Sequence, residues 1–308
     1  MHRILIIYYS QTGEVAQVVD RFATELKSSD TELMFEEIRP RADYPYPWRS
    51  VHRFFDVMPE CVLGRPPEIY PCAFDSEARF DLVVLAYPVW FLSPALPVQG
   101  FLASPHAAVL ENAQVITISV SRAMWQRASQ AIKRLLAAGG AVHSDNIVVT
   151  HEGSSLLTLV STPRALLFGR RDRFLGVFPQ VGASKNDLER VGRLGSVVVR
   201  QLKIGNLRGI SLLRGEPAVR VNRWLVVPEL LAWFCFYAWA VLIRRCGKLH
   251  PGLRTLGVYG FALFLVALIF LGLPLTVLGT WLAYPAISGQ LNRYISRVAA
   301  PTGEEPMA

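Results

Sequence analysis

The chain reads as an α/β protein: a doubly wound parallel sheet of five strands, followed by a hydrophobic helical segment. Two observations lead there. Apolar runs at 3–9, 31–38, 81–87, 114–120 and 146–150 alternate with helix-period segments, the pattern of right-handed βαβ units with helices on both faces of a sheet. Apolar residues are also unevenly spread. The 308 residues are 52% hydrophobic, with a mean hydropathy of +0.30, above an average soluble protein, and the surplus sits in the last third.

The first run, Ile4 to Tyr9, suits a strand buried on both faces. Glu14 to Leu26 follows as a helix, with Val15, Val18, Val19, Phe22 and Leu26 on one face. Thr31 to Ile38 alternates into the second strand. The stretch from about 40 to 78 is too rich in Pro and aromatics for a simple crossover; it reads as an insertion with a short helix around Ser50 to Val57, whose Trp48, Phe54 and Phe55 either wall a pocket or pack in the core. Asp81 to Tyr87 is the third strand and Pro94 to Leu102 the next helix. Gln114 to Val120 is the fourth strand, Met124 to Ala138 a helix ending at Gly139-Gly140, and Asn146 to Thr150 the fifth strand. A second insertion, about 151–183, is apolar, basic and interrupted by Pro163 and Pro179; it either packs into the fifth strand, with Leu175 to Phe178 resuming the sheet, or rests on a membrane, and its apolar 156–182 stretch is placed to form part of the substrate entrance. Ser184 with Asp187 is a capping signature for a closing helix that reaches about Lys203. The domain therefore spans 1–205, with 206–300 as a membrane-associated helical region and 301–308 as a flexible tail.

Trp224 to Ile243 is almost wholly apolar except at Pro228 and Glu229, and Thr255 to Leu291 carries no charge. About 20 apolar residues span a bilayer. Arg244, Arg245, Lys248 and Arg254 lie between the two segments, so a plain two-span hairpin with a cytoplasmic N-terminal domain would put them outside, against the positive-inside tendency. An interfacial first helix with a spanning or re-entrant second segment avoids that conflict. The net charge of +8 fits an anionic inner-membrane surface. No nucleic-acid recognition motif with stacking aromatics accompanies it. The start MHRILIIYYS has no secretory leader pattern, so the first domain is expected in the cytoplasm. The four cysteines, Cys61, Cys72, Cys235 and Cys246, have no CxxC or metal-ligand spacing and read as reduced structural thiols, with no metal expected.

Three loops fall at the carboxyl edge of this sheet, after strands one, three and four, where a flavodoxin-type order 2-1-3-4-5 has its switch point. Ser10, Gln11, Thr12, Gly13, Glu14 and Val15 join a strand to a helix N-terminus, where hydroxyls, amides and the macrodipole favour an anion. The stretch lacks the lysine of a nucleoside-triphosphate loop and the GxGxxG of a dinucleotide fold, so flavin mononucleotide (FMN) fits better than either. Pro88, Val89, Trp90 and Phe91 form the second loop and are placed to flank a planar ring, unless Trp90 is a core anchor. Ser119, Ser121, Arg122 and Trp125 belong to the third.

The segments YYSQTGEV, YPYPW with FFDVMPE, LAYPVWFLSPALPVQGFL, SRAMW, VSTPR and FPQVGAS resemble, in that order, the flavodoxin-like family labelled dialkylresorcinol condensing enzyme, over about residues 3–200. PVWFLSPALP is also similar to the WF-x-x-PA loop of flavin-dependent quinone reductases. Cys61 and Cys72 lack the context of a condensing nucleophile. The resemblance therefore implies a partner ketosynthase, with its acyl carrier protein, that makes a dialkylcyclohexane-1,3-dione, and an FMN-dependent oxidation in this chain that aromatises the ring. It implies that the three loops hold FMN. Arg122 would then stabilise negative charge, and His151, beyond the fifth strand, would be a candidate base or a surface histidine. A lipophilic dione would reside in membrane lipid. The rival readings are a membrane-associated NAD(P)H:quinone reductase and a flavodoxin-type electron carrier or flavin-free scaffold.

Overall fold

The computed structural model describes residues 1–28, 30–150, 164–170, 182–205 and 209–300. Five strands form the expected parallel sheet: β1 (His2–Tyr8), β2 (Thr31–Glu37), β3 (Leu82–Trp90), β5 (Gln114–Ser121) and β6 (Val142–Thr150), in the order β2-β1-β3-β5-β6. A two-residue β4 (Ser93–Pro94) folds back on β3. Counting the five long strands alone, this is the order 2-1-3-4-5. β1 and β3 have their apolar side chains at zero exposure from Ile4 to Ile7 and Leu82 to Tyr87, as expected when helices cover both faces.

Helix α1 (Glu14–Leu26) has the expected bounds and buries Val15, Val18, Val19, Phe22, Ala23 and Leu26. It shares one face of the sheet with α7 (Lys185–Ile204). There Gly195 lets the helices touch, since a Cβ would stand 2.8 Å from the Phe22 carbonyl. At the start of α7 the Ser184 hydroxyl accepts from the Asp187 amide at 3.1 Å. α4 (Leu96–Leu102) and α5 (Gln126–Ala138) pack on the other face. The insertion near 40–78 carries α2 (Val51–Asp56), with Ser50 as its cap, and α3 (Met58–Val62). A short helical turn, α6, covers 164–168. Its carbonyls at Leu166 and Leu167 accept from Trp48 and Arg49, which ties the two insertions together.

Two strand boundaries differ from expectation. β3 continues through Pro88, Val89 and Trp90, because Pro88 still pairs in register with Val120 and its carbonyl accepts from Ala95. β6 begins at Val142 rather than Asn146, and its polar start is internally satisfied. His143 Nε2 meets the Thr117 hydroxyl at 2.9 Å, and Asn146 bonds Thr117 and Ser129.

Residues 211–218, expected to open the membrane region, pack on the sheet domain instead. The Asp145 carboxylate accepts from the Ser211 hydroxyl at 2.6 Å and from the amides of Leu212 and Leu213 at 2.8 and 3.0 Å. The Val148 amide donates to Ala218, and buried Arg190 donates to the carbonyls of Val148 and Pro217. Leu212, Leu213 and Ala218 join the α1/α7 core.

Beyond this strap come α8 (Val226–Leu249), α9 (Pro251–Ala267), a π turn at Leu268–Gly272 and α10 (Leu273–Ala299). Arg223–Leu249 and Pro251–Ala299 are each long and apolar enough to cross a membrane. α9 lies along α8, with Phe236, Ala240, Ile243, Val258 and Phe261 between them.

Candidate functional site

After β1 the chain turns through Gly13, whose φ of 82° is left-handed and favours glycine. A side chain there would have open space around it, so the constraint is the backbone itself. The Ser10 hydroxyl accepts from the Ala16 amide at 3.0 Å, fixing the loop on the first turn of α1. Gln11 Nε2 donates to the carbonyls of Tyr44 and Pro45, both at 3.2 Å, drawing the aromatic insertion towards this loop.

The second loop is a tight hairpin. Trp90 pairs with Ser93, and the two residues between them, Phe91 and Leu92, have φ of 48° and 60°. Two positive φ values define a type I′ turn, normally Asn-Gly. Bulky residues there cost about 1–3 kcal/mol each, which the surrounding packing must over-determine. The packing is visible: Phe91 stacks near Phe54 and Phe55 at 5.2 and 6.2 Å, and Leu92 is buried with Met58 and Phe236. Trp90 stands edge-on to Tyr9, Tyr44 and Trp48 at 5.7, 5.3 and 6.3 Å. Cys61 lies beneath, its thiol donating to the Trp90 and Pro94 carbonyls at 3.4 Å. Burial pushes that thiol up, and Cys72 to about 11, so neither is a ready thiolate nucleophile.

The third loop follows β5. Ser121 is buried, and its hydroxyl has no partner among the described residues. Desolvation brings Arg122 down to about 10, with Glu14 and Tyr46 pulling the other way, so it remains a cation at neutral pH.

These loops meet in one cavity of about 390 Å³. Of the sequence-nominated residues, Gln11, Thr12, Glu14, Val15, Pro88, Val89, Trp90, Phe91, Ser121 and Arg122 line it, with Phe54 and Phe55. Ser10, Gly13 and Ser119 lie outside the lining, the first two shaping the loop and Ser119 buried in β5. Trp125 departs from its expected ring-holding place: it is 1% exposed and packs with Val148 and Val298, because the chain turns inward there to start α5. His151 lies outside the described residues.

Of the opposite wall, the 156–182 stretch suits an entrance from its apolar composition, but composition and spacing missed the α8 and long-helix side. Ala165 to Leu167 contribute from α6, and α8 supplies Pro228, Ala232, Cys235 and Phe236. Leu265, Leu268, Ile269, Leu273 and Thr276 come from the long helix. The one available signal was Glu229, an acid inside an apolar run. It is 1% exposed and accepts from the Arg127 amide at 2.7 Å, capping α5, which has no side-chain cap of its own. Arg127 also sits 4.0 Å from the Trp233 ring. The site is thus a polar loop edge facing a largely apolar roof.

No family model and no curated protein matches the sequence. Solved structures that resemble the chain include a flavodoxin from the domain Archaea, at 12% identity over 65% of this chain and 99% of that one, with a TM-score of 0.37. A WrbA-like flavodoxin from Agrobacterium tumefaciens is 12% identical over 67% and 100%, with a TM-score of 0.36. A Fusobacterium nucleatum flavodoxin bound to flavin mononucleotide is 12% identical over 66% and 98%, with a TM-score of 0.32. At these values the flavodoxin-like assignment rests on the strand order of the sheet.

Proposed function

We propose that the chain is an FMN-dependent oxidoreductase that aromatises a lipophilic dialkylcyclohexane-1,3-dione to a dialkylresorcinol at a membrane. The observation that carries this reading is the single cavity joining the three sheet-edge loops to the apolar faces of α8 and the long helix. Ligands of doubly wound sheets bind at that edge. The loop geometry fits a flavin: a left-handed glycine before a helix start for the phosphate, and an unpartnered buried Ser121 hydroxyl beside Arg122 for ring polar atoms. Gln11 to Val15 would hold the phosphate end, while Pro88 to Phe91 and Ser121 to Arg122 would flank the isoalloxazine. When bound, FMN supplies a two-electron acceptor for hydride.

The chain's own residues then have definable tasks. Phe54, Phe55 and Phe91, with the roof helices, exclude water and accept alkyl chains, each buried methylene contributing about 0.8 kcal/mol. Arg122 offers positive charge to the enolate oxygen that develops as the dione loses a proton beside its carbonyl. The neighbouring ring carbon gives up hydride, so two electrons and two hydrogens leave and the aromatic diol remains. His151 is the proposed proton acceptor, and a ketosynthase with its acyl carrier protein the proposed supplier of the dione.

The test is anaerobic. Purified full-length protein loaded with FMN is mixed with a dialkylcyclohexanedione, and loss of the flavin absorbance with appearance of the resorcinol is expected. Colourless protein that takes up no FMN would reject the flavin site. Bleaching by NAD(P)H with a quinone acceptor, and none by the dione, would replace the reading with a quinone reductase. Normal turnover in His151→Ala would remove that residue's assignment.

A further inference from the structure

The helical run from Pro251 to Ala299 covers 49 residues, about 73 Å measured along its path at 1.5 Å per residue, and it is interrupted by the π turn at Leu268–Gly272 and by Pro285. Both of its ends are fastened to the same sheet domain. At the start, Arg254 pairs with Asp56 at 2.6 Å and with Glu60 at 3.0 Å, on α2 and α3. At the finish, Val298 packs on Trp125 and Val148, and Lys133 of α5 donates to the carbonyls of Val298 and Ala300. α8 is held in the same manner, by Glu229 on the Arg127 amide and Arg244 on Glu60 at 3.3 Å. A helix whose two ends rest on one folded domain cannot place those ends on opposite sides of a bilayer.

We infer that neither helix spans. The chain is monotopic, and α8 with the long helix forms a roof whose outer face sinks into one leaflet of an anionic bilayer. That face suits lipid. Leu256, Leu263, Leu271, Leu275, Trp281 and Leu282 are each between 59 and 74% exposed, within a run from Thr255 to Leu291 that has no charged residue. Protein partners usually meet an apolar centre ringed by polar groups; here the charges stand only at the ends. Arg223, Arg245, Lys248, Arg293 and Arg297 are exposed basic residues beyond the run, where each contributes about 1 kcal/mol towards anionic headgroups. An in-plane helix of this kind buries its apolar face about 5–10 Å into the leaflet. The placement also removes the positive-inside conflict, since Arg244 and Arg254 stay on the domain's side of the membrane. The inference does not depend on flavin binding.

The experiment uses the full chain added to preformed vesicles of phosphatidylcholine with one-third phosphatidylglycerol, so that the sheet domain is outside. Leu249→Cys in the α8–α9 turn and Ser296→Cys near the end of α10 are labelled with a membrane-impermeant maleimide, and labelled peptides are identified by mass. Both positions should label without detergent, and a spin label on Leu271→Cys should report burial just below the headgroups. Labelling of Leu249→Cys only after detergent would show a two-span hairpin, and of Ser296→Cys only after detergent a single span; either overturns the proposal. So does protein that stays in the aqueous fraction, which would mean that another protein surface or a second copy covers the roof.

Discussion

Replacing Glu229 by Ala tests how the apolar helices are coupled to the sheet domain. The Glu229 carboxyl is 1% exposed and supplies the cap that α5 lacks, accepting from the Arg127 amide at 2.7 Å. Burial lifts it to about 8, while the amides of Arg127, Gln126 and Trp125 pull it down. Truncation removes a helix cap, worth about 0.5–2 kcal/mol, and leaves the Arg127 amide without its acceptor, which costs about 1–3 kcal/mol. The two overlap, so about 2 kcal/mol is expected. In a domain of this size that corresponds to a melting temperature lower by roughly 4–8 °C. Glu229→Gln keeps an acceptor in place and should recover most of the loss. Circular dichroism melts in detergent micelles give the first number. Amide exchange at 126–129 gives the second, and it should rise more than tenfold in the alanine variant. A melt within a degree of the parent, with unchanged exchange, would refute the capping role and with it the docking of α8 on the carboxyl edge of the sheet.

Gly195→Val should separate α1 from α7, since its Cβ would stand 2.8 Å from the Phe22 carbonyl; a loss of about 1–3 kcal/mol is expected from overpacking, and denaturant midpoints check it. His143 should make the fold acid-sensitive. Desolvation lowers its pKa from 6.5 to about 3, so the folded state binds fewer protons than the unfolded one. Its contribution is complete above about 6.5 and is lost as pH falls towards 3, at up to about 1.4 kcal/mol per pH unit. Urea midpoints between pH 7 and 4 should flatten in His143→Gln.

How much was readable depended on how local the cause was. α1 could be bounded because Val15, Val18, Val19, Phe22 and Leu26 repeat at the helical period, and the Ser184 cap needed only Asp187 three residues on. From sequence alone β6 begins only at Asn146, because His143, Ser144 and Asp145 look like a loop; their partners Thr117, Ser211 and the 212–213 amides lie 26 to 68 residues away. Pro88 looks like a strand breaker, yet it lacks only a donor: it still pairs in register with Val120 and its carbonyl accepts from Ala95. Ten of the nominated loop residues line the cavity, because a switch point follows from strand order alone. The roof was invisible as such. Its attachment runs through Arg254 to Asp56, 198 residues apart, and through an acid whose hydrophobic surroundings suggested only a membrane segment.

The central claim is that one cavity holds the flavin ring at the sheet edge and the substrate's alkyl chains under α8 and the long helix. Cys235 is the residue to probe, being half-buried and in the roof lining, on α8 rather than on the loops that would hold FMN. The measurement is anaerobic bleaching of bound FMN in Cys235→Trp by diones of graded alkyl length. The account predicts FMN affinity equal to the parent, bleaching by short-chain diones retained, and bleaching by long-chain diones lost by at least tenfold. Equal bleaching by all chain lengths, with FMN fully bound, would contradict it.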